Sequence, residues 1–345
     1  MNSSTISACL IVDDFPLNAS YWRRAQCEAF GYEAPQVCEF SMGWPEQRKA
    51  PFIQPQVYED FIELAERFDV RGKLTVLPYP GGMGCIADGV RYLPDADRER
   101  LIELTLGAAD RFTICLETLT HTMAHDPDTG ALFPHTESAW ISHLAAEGQV
   151  DKLTEILSSG WEVLQRIGLE CRGIVIGGMP DVSGIAGGEL LYQGKYVHVL
   201  ASALRRTGTA FGEEGPLAMM AMSPPPEEAG GYPFAVAHDE PENAPVYHFQ
   251  PTIGDPLLGV MRGDGDVGTE AAKLVTPDLE SGALIELAEA GKPINILTHA
   301  QSLNALNTGK GVAVLRLAFE RLHQRYGERI RWQTPLQQAE TAPGN

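Results

Sequence analysis

The distribution of apolar and polar residues along the chain predicts alternating strands and helices. Residues 6–12 form a continuous apolar run, which is typical of a strand buried on both faces. The same patterns predict strands at 73–77, 112–116, 173–176, 294–298 and 330–333, and helices at 19–30, 56–68, 95–110, 137–146, 151–167, 190–206, 278–290 and 311–326. This order favours an α/β fold with a mostly parallel sheet, either as a barrel or as an open sheet.

The stretch at 208–268 differs in composition from the rest of the chain, because it is rich in prolines and glycines that separate short apolar segments. We expect irregular loops or a small antiparallel excursion there, inserted into a single domain that spans residues 1–345. His238 and His248 lie in this stretch, where they could line a substrate cleft.

Composition narrows the classes of partner. The formal net charge of -20 argues against nucleic acid or an anionic membrane as a main partner, because both require basic surfaces. The N-terminus lacks the basic start of a secretory signal, and no apolar stretch is long enough to cross a bilayer. The six cysteines are scattered without a C-x-x-C pair, as expected for free thiols in a reducing compartment. We therefore expect a cytoplasmic protein. The charge says little about the substrate, and the oligomeric state stays open.

Residues with metal and acid–base chemistry follow three of the predicted strands. Asp13 and Asp14 end the first apolar run, His121 and His125 follow the strand at 112–116, and His299 follows the strand at 294–298. Two histidines four positions apart lie on one side of a helical turn, so both rings could reach one cation. In a parallel sheet all three positions lie at the same edge, where barrel enzymes carry their catalytic residues.

The adjacent aspartates impose a geometric condition. Neighbouring residues of a regular strand point to opposite faces, so Asp13 and Asp14 can serve one site only if the chain leaves strand geometry there. The following Phe15-Pro16 favours such a departure, because proline restricts the residue before it.

Each signal alone has a structural explanation. A histidine pair at this spacing can cap a helix, two aspartates can cap a helix or occupy a loop, and His299 can be a packed core residue. What favours a functional site is that all three signals occur at strand ends.

The set resembles the NodB-like polysaccharide deacetylases, the carbohydrate esterase family 4 group. Ile11-Val12-Asp13-Asp14 is similar to the first motif of that family, His121-Thr122-Met123-Ala124-His125 to the second, and Leu297-Thr298-His299 to a late motif. The resemblance implies a distorted (β/α)7 barrel. It also implies that Asp14, His121 and His125 bind a divalent metal, usually Zn²⁺, with Asp13 as general base and His299 as general acid.

The chain departs from that family at two motifs. The family has an arginine and an aromatic residue after the fourth strand, where this chain has Gly177-Gly178-Met179-Pro180-Asp181. In the family, this arginine orients the general base. The sequence of this chain therefore leaves open which residue orients Asp13. The motif that contains aspartate and tryptophan has no clear match, and Asp264 or Asp266 could supply its carboxylate.

The residues and the resemblance together favour a metal-dependent hydrolase that removes acetyl groups from an N-acetylated or O-acetylated sugar or a similar amide. The expected partner is therefore a small-molecule or oligosaccharide substrate. Two alternatives remain. The first is a metal-independent C–N hydrolase or a glycoside hydrolase on a related barrel. The second is a carbohydrate-binding descendant of the fold without catalysis.

Overall fold

A computed structural model of the chain describes residues 5–17, 52–121, 123–125, 129, 132–176, 196–221, 233–240 and 242–341. The expected helix at 19–30 and the glycine-rich segment at 177–181 lie outside these residues. Strands and helices alternate along most of the described chain, as the apolar pattern predicts.

The strands are β1 (Ile6–Phe15), β2 (Gly72–Val76), β3 (Gly84–Cys85), β4 (Gly89–Val90), β5 (Phe112–Leu116), β6 (Met123–His125), β7 (Leu132–Thr136), β8 (Gly173–Val175), β9 (Leu217–Met220), β10 (Phe234–Val236), β11 (Val246–His248), β12 (Ile294–His299) and β13 (Ile330–Trp332). The helices are α1 (Pro55–Arg67), α2 (Asp95–Ala108), α3 (Glu137–Ala146), α4 (Val150–Arg166), α5 (Val197–Ala210), α6 (Val267–Leu274), α7 (Ala283–Glu289), α8 (Ala300–Asn304), α9 (Lys310–Tyr326) and α10 (Pro335–Thr341).

One mostly parallel sheet organises the described chain. Its strand order is β10-β11-β9-β8-β5-β2-β1-β12, with β13 paired to β1. Every neighbouring pair from β11 to β12 is parallel, and only β10 runs antiparallel to its neighbour. Parallel neighbours carry their carboxyl ends to one edge of the sheet, which is where the predicted site residues lie.

Both faces of the sheet are covered. Ala8, Leu10 and Val12 of β1 belong to the large apolar cluster that includes the helices. Cys9 and Ile11, which point the other way, belong to a smaller cluster with residues of β5, β8 and β9. The continuous apolar run of β1 therefore reflects burial on both faces, as predicted.

The segment after β11 runs alongside β12. Ile253 forms a parallel bridge with Ile296, and the Leu297 N–H donates to the Ile253 carbonyl at 3.0 Å. The chain between 246 and 253 therefore contacts β9 through its first residues and β12 through its last ones.

The expectation for 208–268 is wrong in its main point. This stretch supplies β9 and β11, which are parallel strands of the main sheet. Only the pairing of β10 with β11 is antiparallel. The strands are three or four residues long and are separated by prolines and glycines, so their apolar pattern is too short to stand out in the sequence.

The helix expected at 278–290 is also wrong in extent. Instead, α6 ends at Leu274 and α7 begins at Ala283. Pro277 lies between them, and Gly282 has a φ of 116°, where a Cβ would lie 2.5 Å from the Leu274 carbonyl oxygen. The helix expected at 190–206 runs from 197 to 210, and 190–195 lie outside the described residues.

None of the helices in the described part of the chain has the length and apolar character needed to cross a membrane. Four of the six cysteines, Cys9, Cys85, Cys115 and Cys171, lie in the same part of the chain, and all four are free thiols, as predicted.

Candidate functional site

The carboxyl edge of the sheet brings the predicted strand-end residues together. Asp13 and His299 are direct Cα partners across the β1–β12 pairing. Glu117 follows the last residue of β5, two strands away from β1, and its carboxylate reaches the backbone of Asp14. Residues far apart in sequence therefore meet because their strands are neighbours in one parallel sheet.

Asp14 leaves strand geometry, as the sequence requires. Its φ is 68°, and the pairing of β1 with β2 shifts register between Val12 and Phe15. This irregularity places both Asp13 and Asp14 in buried positions at the same strand end. Their side chains have different partners, since Asp13 pairs with Lys73 and Asp14 lies beside His121.

His121 lies in a tight loop after β5, and the expectation of a helical turn through His125 is wrong. Thr118 and His121 have positive φ values of 45° and 64°, and residues 123–125 form strand β6. Left-handed residues interrupt a helix, so the spacing of the two histidines does not by itself align their rings. The side chain of His125 lies outside the described part of the chain, and its role as a ligand stays a prediction.

The carboxylate of Glu137 fixes the loop that carries His121. Its buried carboxylate accepts hydrogen bonds from the backbone N–H groups of Leu119, Thr120 and His121 at 2.8–3.0 Å and from the hydroxyl of Thr118. Burial raises the pKa of Glu137 to about 7, although these hydrogen bonds act in the opposite direction. The loop that carries His121 is thus fixed by a carboxylate at the start of α3.

The glycine-rich turn after β2 packs on the same loop. The Tyr79 N–H donates to the Leu119 carbonyl at 3.0 Å, and the Gly81 N–H donates to the Thr120 carbonyl at 3.1 Å. Gly81 has a φ of 61°, which explains the glycine at this close approach.

Three described residues offer a set of atoms that could hold a metal ion. Asp14, Glu117 and His121 each present one donor atom, and these atoms all lie within 4.8 Å of one another. The Nε2 atom of His121 is 3.1 Å from Oδ1 of Asp14, close to the separation of roughly 3 Å expected for two donors that share an ion at bond lengths of about 2 Å.

The chemistry of the Asp14 carboxylate fits a cation. Its Oδ1 atom is buried and makes no hydrogen bond to any residue of the described ranges. A buried carboxylate oxygen without a donor is costly, and a bound cation would remove that cost. Oxygen and imidazole nitrogen donors suit zinc and related divalent metals.

A lysine that the sequence analysis did not single out lies beside Asp13. Lys73, the second residue of β2, is fully buried, and its ammonium pairs with the Asp13 carboxylate. Its Nζ atom also lies 5.7 Å from the centre of the Phe249 ring. The available signal is a lysine inside an otherwise apolar and threonine-containing strand, where a buried charge needs a partner.

His299 is oriented by Asp255, and neither Asp264 nor Asp266 supplies that carboxylate. The His299 Nδ1 atom is 2.7 Å from Oδ2 of Asp255. Ser302 donates to the same oxygen at 2.6 Å. Asp266 caps α6 instead, and Asp264 is exposed. No local pattern around Asp255 predicts its contact with His299, because the two residues meet only through the tertiary fold.

Burial and neighbouring charges set the protonation of these groups. Burial raises the pKa of Asp13, and the Lys73 ammonium limits the rise. Burial raises the pKa of Asp14 to about 7, with His121 acting against the rise. Burial alone would lower the pKa of His299, but the hydrogen bond to Asp255 and the nearby carboxylates raise it to about 10.

The pKa of Glu117 is shifted in the opposite direction. Burial by itself would raise its pKa, yet the neighbouring His121 and the hydrogen bonds that Glu117 accepts bring the pKa well below the usual range. Glu117 is therefore a carboxylate at neutral pH.

Comparison with known proteins gives one weak similarity. No family model matches the sequence, and no curated protein matches it. A solved structure described as a "putative polysaccharide deacetylase from Mycobacterium smegmatis" is 13% identical, covers 99% of this chain and 90% of that chain, and has a TM-score of 0.48. A similarity at this level establishes neither a family nor an activity for this chain.

Proposed function

We propose that this protein is a metal-dependent hydrolase that removes acetyl groups from an acetylated sugar or a similar amide. One observation carries the proposal. The Oδ1 atom of Asp14 is buried, accepts no hydrogen bond from the described residues, and lies 3.1 Å from the imidazole nitrogen Nε2 of His121. Asp13 and His299, the proposed base and acid, are partners across the adjacent strands β1 and β12. The motif resemblance to the NodB-like deacetylases supports the same chemistry.

We also propose that the sheet forms the distorted seven-stranded barrel that the resemblance implies. Seven strands from β11 to β12 are successive parallel neighbours in the sheet order. The bridge between Ile253 and Ile296 supports closure, because it connects the segment after β11 with β12. A barrel would place the inward side chains of β1, β2, β5 and β12 around one cavity mouth.

For the proposed reaction, Asp14 and His121 would hold the divalent ion, with His125 as the predicted further ligand. When bound there, such an ion would supply Lewis-acid chemistry, which polarises an acyl oxygen and makes water easier to deprotonate. The acyl carbon of the substrate must then approach Asp13, which lies next to Asp14 in the chain.

Asp13 and His299 move the protons. Asp13 accepts the proton of the attacking water, and its raised pKa makes it a stronger base than an exposed aspartate. His299 is protonated at neutral pH and donates a proton to the leaving nitrogen or oxygen as the acyl bond breaks. The hydrogen bond from its Nδ1 to Asp255 leaves Nε2 as the nitrogen that can face the substrate. The products are acetate and the free amine or alcohol.

Lys73 supplies the cation beside the proposed base. The resemblance implies an arginine in this role, from a motif that this chain lacks. Here the cation comes from β2, and its ammonium pairs directly with Asp13. A lysine makes this contact as a single point charge, without the forked contact of an arginine.

The first experiment measures metal content and hydrolysis in the same samples. The purified chain is stripped with a chelator, reloaded with Zn²⁺, Co²⁺ or Mn²⁺, and assayed for bound metal and for acetate released from N-acetylated and O-acetylated sugars. We expect about one ion per chain and loss of hydrolysis on chelation. Asp14→Asn removes a ligand and abolishes both, whereas the matched variant Asp264→Asn, at an exposed position, changes neither.

The alternatives give different results. Hydrolysis that persists without metal in the chelated protein contradicts the proposal and favours a metal-independent hydrolase. Sugar binding without release of acetate, unchanged in Asp14→Asn, favours a non-catalytic carbohydrate-binding protein.

A further inference from the structure

The His121 ring lies between two buried carboxylates, one at each ring nitrogen. Its Nδ1 atom is 3.0 Å from Oε1 of Glu117, and its Nε2 atom is 3.1 Å from Oδ1 of Asp14. The two nitrogens of an imidazole point in different directions, so an ion bound at one nitrogen is not bound at the other. Asp14 and Glu117 therefore have different relations to an ion held by His121.

The two carboxylates also differ in their remaining partners. Oε2 of Glu117 accepts the Asp14 backbone N–H at 2.6 Å and the Thr75 hydroxyl. Oδ1 of Asp14 has no hydrogen bond within the described ranges. Glu117 has both oxygens engaged by donors of the protein, whereas Asp14 keeps one buried oxygen available for a cation.

We infer that Glu117 is a positioning residue of the proposed metal site and not one of its ligands. Its Oε1 accepts the His121 Nδ1–H, which leaves Nε2, 3.1 Å from Asp14 Oδ1, as the ring nitrogen that would bind the ion. Its Oε2 fixes the backbone of Asp14, so one carboxylate orients both ligand residues. The inference rests on the proposed function, because it assigns a role relative to the metal.

This arrangement explains why a carboxylate is needed at position 117. A metal-binding histidine commonly donates its second ring N–H to a carboxylate, which fixes the tautomer and the orientation of the ring. Asp14 and His121 both have left-handed backbone conformations, so their ligand atoms are not placed by regular secondary structure. Glu117, anchored by Thr75 of β2, connects the two irregular positions.

Metal affinity tests the inference without a substrate. The purified chain is stripped with a chelator and titrated with Co²⁺ while the visible absorption is recorded, and Zn²⁺ affinity is measured by competition with a chelating dye. For Glu117→Gln we expect affinity to fall about 10- to 100-fold, which is the usual effect of losing such a partner. The Co²⁺ bands keep their wild-type positions, because the ligands are unchanged.

Three variants calibrate this result. Asp14→Asn, which removes a proposed ligand, loses more affinity than Glu117→Gln and shifts the Co²⁺ bands. Glu270→Gln, at a buried glutamate paired with Lys273, keeps wild-type affinity. Thr75→Val removes the hydroxyl that donates to Oε2 of Glu117 and accepts the Asp14 backbone N–H at 3.1 Å. It keeps every proposed ligand, and it lowers the affinity in the same direction even if Glu117→Gln folds poorly.

The outcomes separate this inference from the proposed function. Wild-type affinity in both Glu117→Gln and Thr75→Val overturns the inference and leaves the metal site in place. A Glu117→Gln variant that loses as much affinity as Asp14→Asn, with shifted Co²⁺ bands, overturns it by making Glu117 a ligand. A wild-type protein that binds no ion overturns the proposed function itself.

Discussion

At the scale of single residues, the face of the sheet that carries Cys9 and Ile11 also carries charges where apolar side chains are expected. Lys73 and Asp13 are both buried, and their near neighbours Cys9, Ile11 and Cys115 are apolar or weakly polar. A buried ion pair seldom adds much stability over an apolar pair of the same volume. The presence of the Lys73–Asp13 ion pair is therefore better explained by the proposed chemistry of the site than by a contribution to folding stability.

Removing one member of this pair is expected to be costly. Lys73→Met leaves the buried Asp13 carboxylate without its cation, so we expect the free energy of unfolding to fall by about 3–5 kcal/mol. Adding Asp13→Asn to Lys73→Met recovers much of that loss, because no unpaired charge remains. Urea denaturation at neutral pH measures both changes.

A surface ion pair provides the control for this prediction. Lys152→Met removes a lysine that pairs with Glu155 on the exposed side of α4, and we expect a loss of about 1 kcal/mol or less. If Lys73→Met costs no more than Lys152→Met, the buried pair does not contribute as described.

At the scale of elements, two loops at the carboxyl edge hold each other in place. The turn after β2 donates backbone hydrogen bonds to the loop after β5, and Glu137 at the start of α3 accepts hydrogen bonds from that loop. His121 is therefore positioned by a network of backbone contacts, in a loop that contains two left-handed residues. Such a loop stays ordered only while its N–H groups have acceptors.

Replacing the Glu137 carboxylate should loosen this loop. In Glu137→Ala, the N–H groups of Leu119, Thr120 and His121 lose their acceptor, so we expect a stability loss of roughly 2 kcal/mol and faster hydrogen exchange at these three amides. Amide exchange followed by NMR or mass spectrometry measures the effect.

Glu147→Ala is the matched control for the loop. Glu147 is a half-exposed glutamate just beyond the other end of α3, where it pairs with His143. Its replacement should leave exchange in the loop unchanged. Equal exchange rates in Glu137→Ala and the wild type would show that other contacts hold the loop.

At the scale of the whole molecule, the sheet is buried on both faces, so a polar residue without a role in the proposed reaction can influence global stability. His248 of β11 was expected to lie in an irregular stretch where it could line a cleft, but it is fully buried in the main sheet. Its ring stacks on Phe234 at 5.3 Å, and its Nε2 accepts the Ala221 N–H at 3.3 Å. Burial lowers the pKa of His248 to about 4.

This pKa predicts a loss of stability in mild acid. Between pH 6.5 and 4 the unfolded chain binds a proton at His248 and the folded chain does not, so the stability contributed by this residue is complete above pH 6.5 and falls as the pH approaches 4. The loss is on the order of 3 kcal/mol. Urea denaturation across this range should show a shallower pH dependence in His248→Gln than in the wild type.

An exposed histidine provides the comparison for the pH effect. His143→Gln, at a largely exposed position of α3, should keep the wild-type pH dependence. Identical pH profiles for His248→Gln and the wild type would contradict the assigned pKa.

The sequence by itself determined the main elements and most of the strand ends. The continuous apolar run of β1 predicted burial on both faces, and the helical spacing at 56–68 and 95–110 predicted α1 and α2 to within about two residues. The positions of Asp13 and His299 followed from the same periodicities, because carboxyl ends of parallel strands share one edge. The need for Asp14 to leave strand geometry also followed from the sequence alone.

Only the tertiary structure decided which side chains complete the site. Lys73 contacts Asp13, Glu117 contacts the backbone of Asp14, and Asp255 contacts His299. These contacts join segments that are distant in the chain, and no local periodicity encodes them. The left-handed backbone at His121 likewise depends on acceptors from Glu137, so a spacing of four residues could not distinguish a loop from a helical turn. Periodicity records which face of an element is buried, whereas the partner across that face depends on how the elements pack.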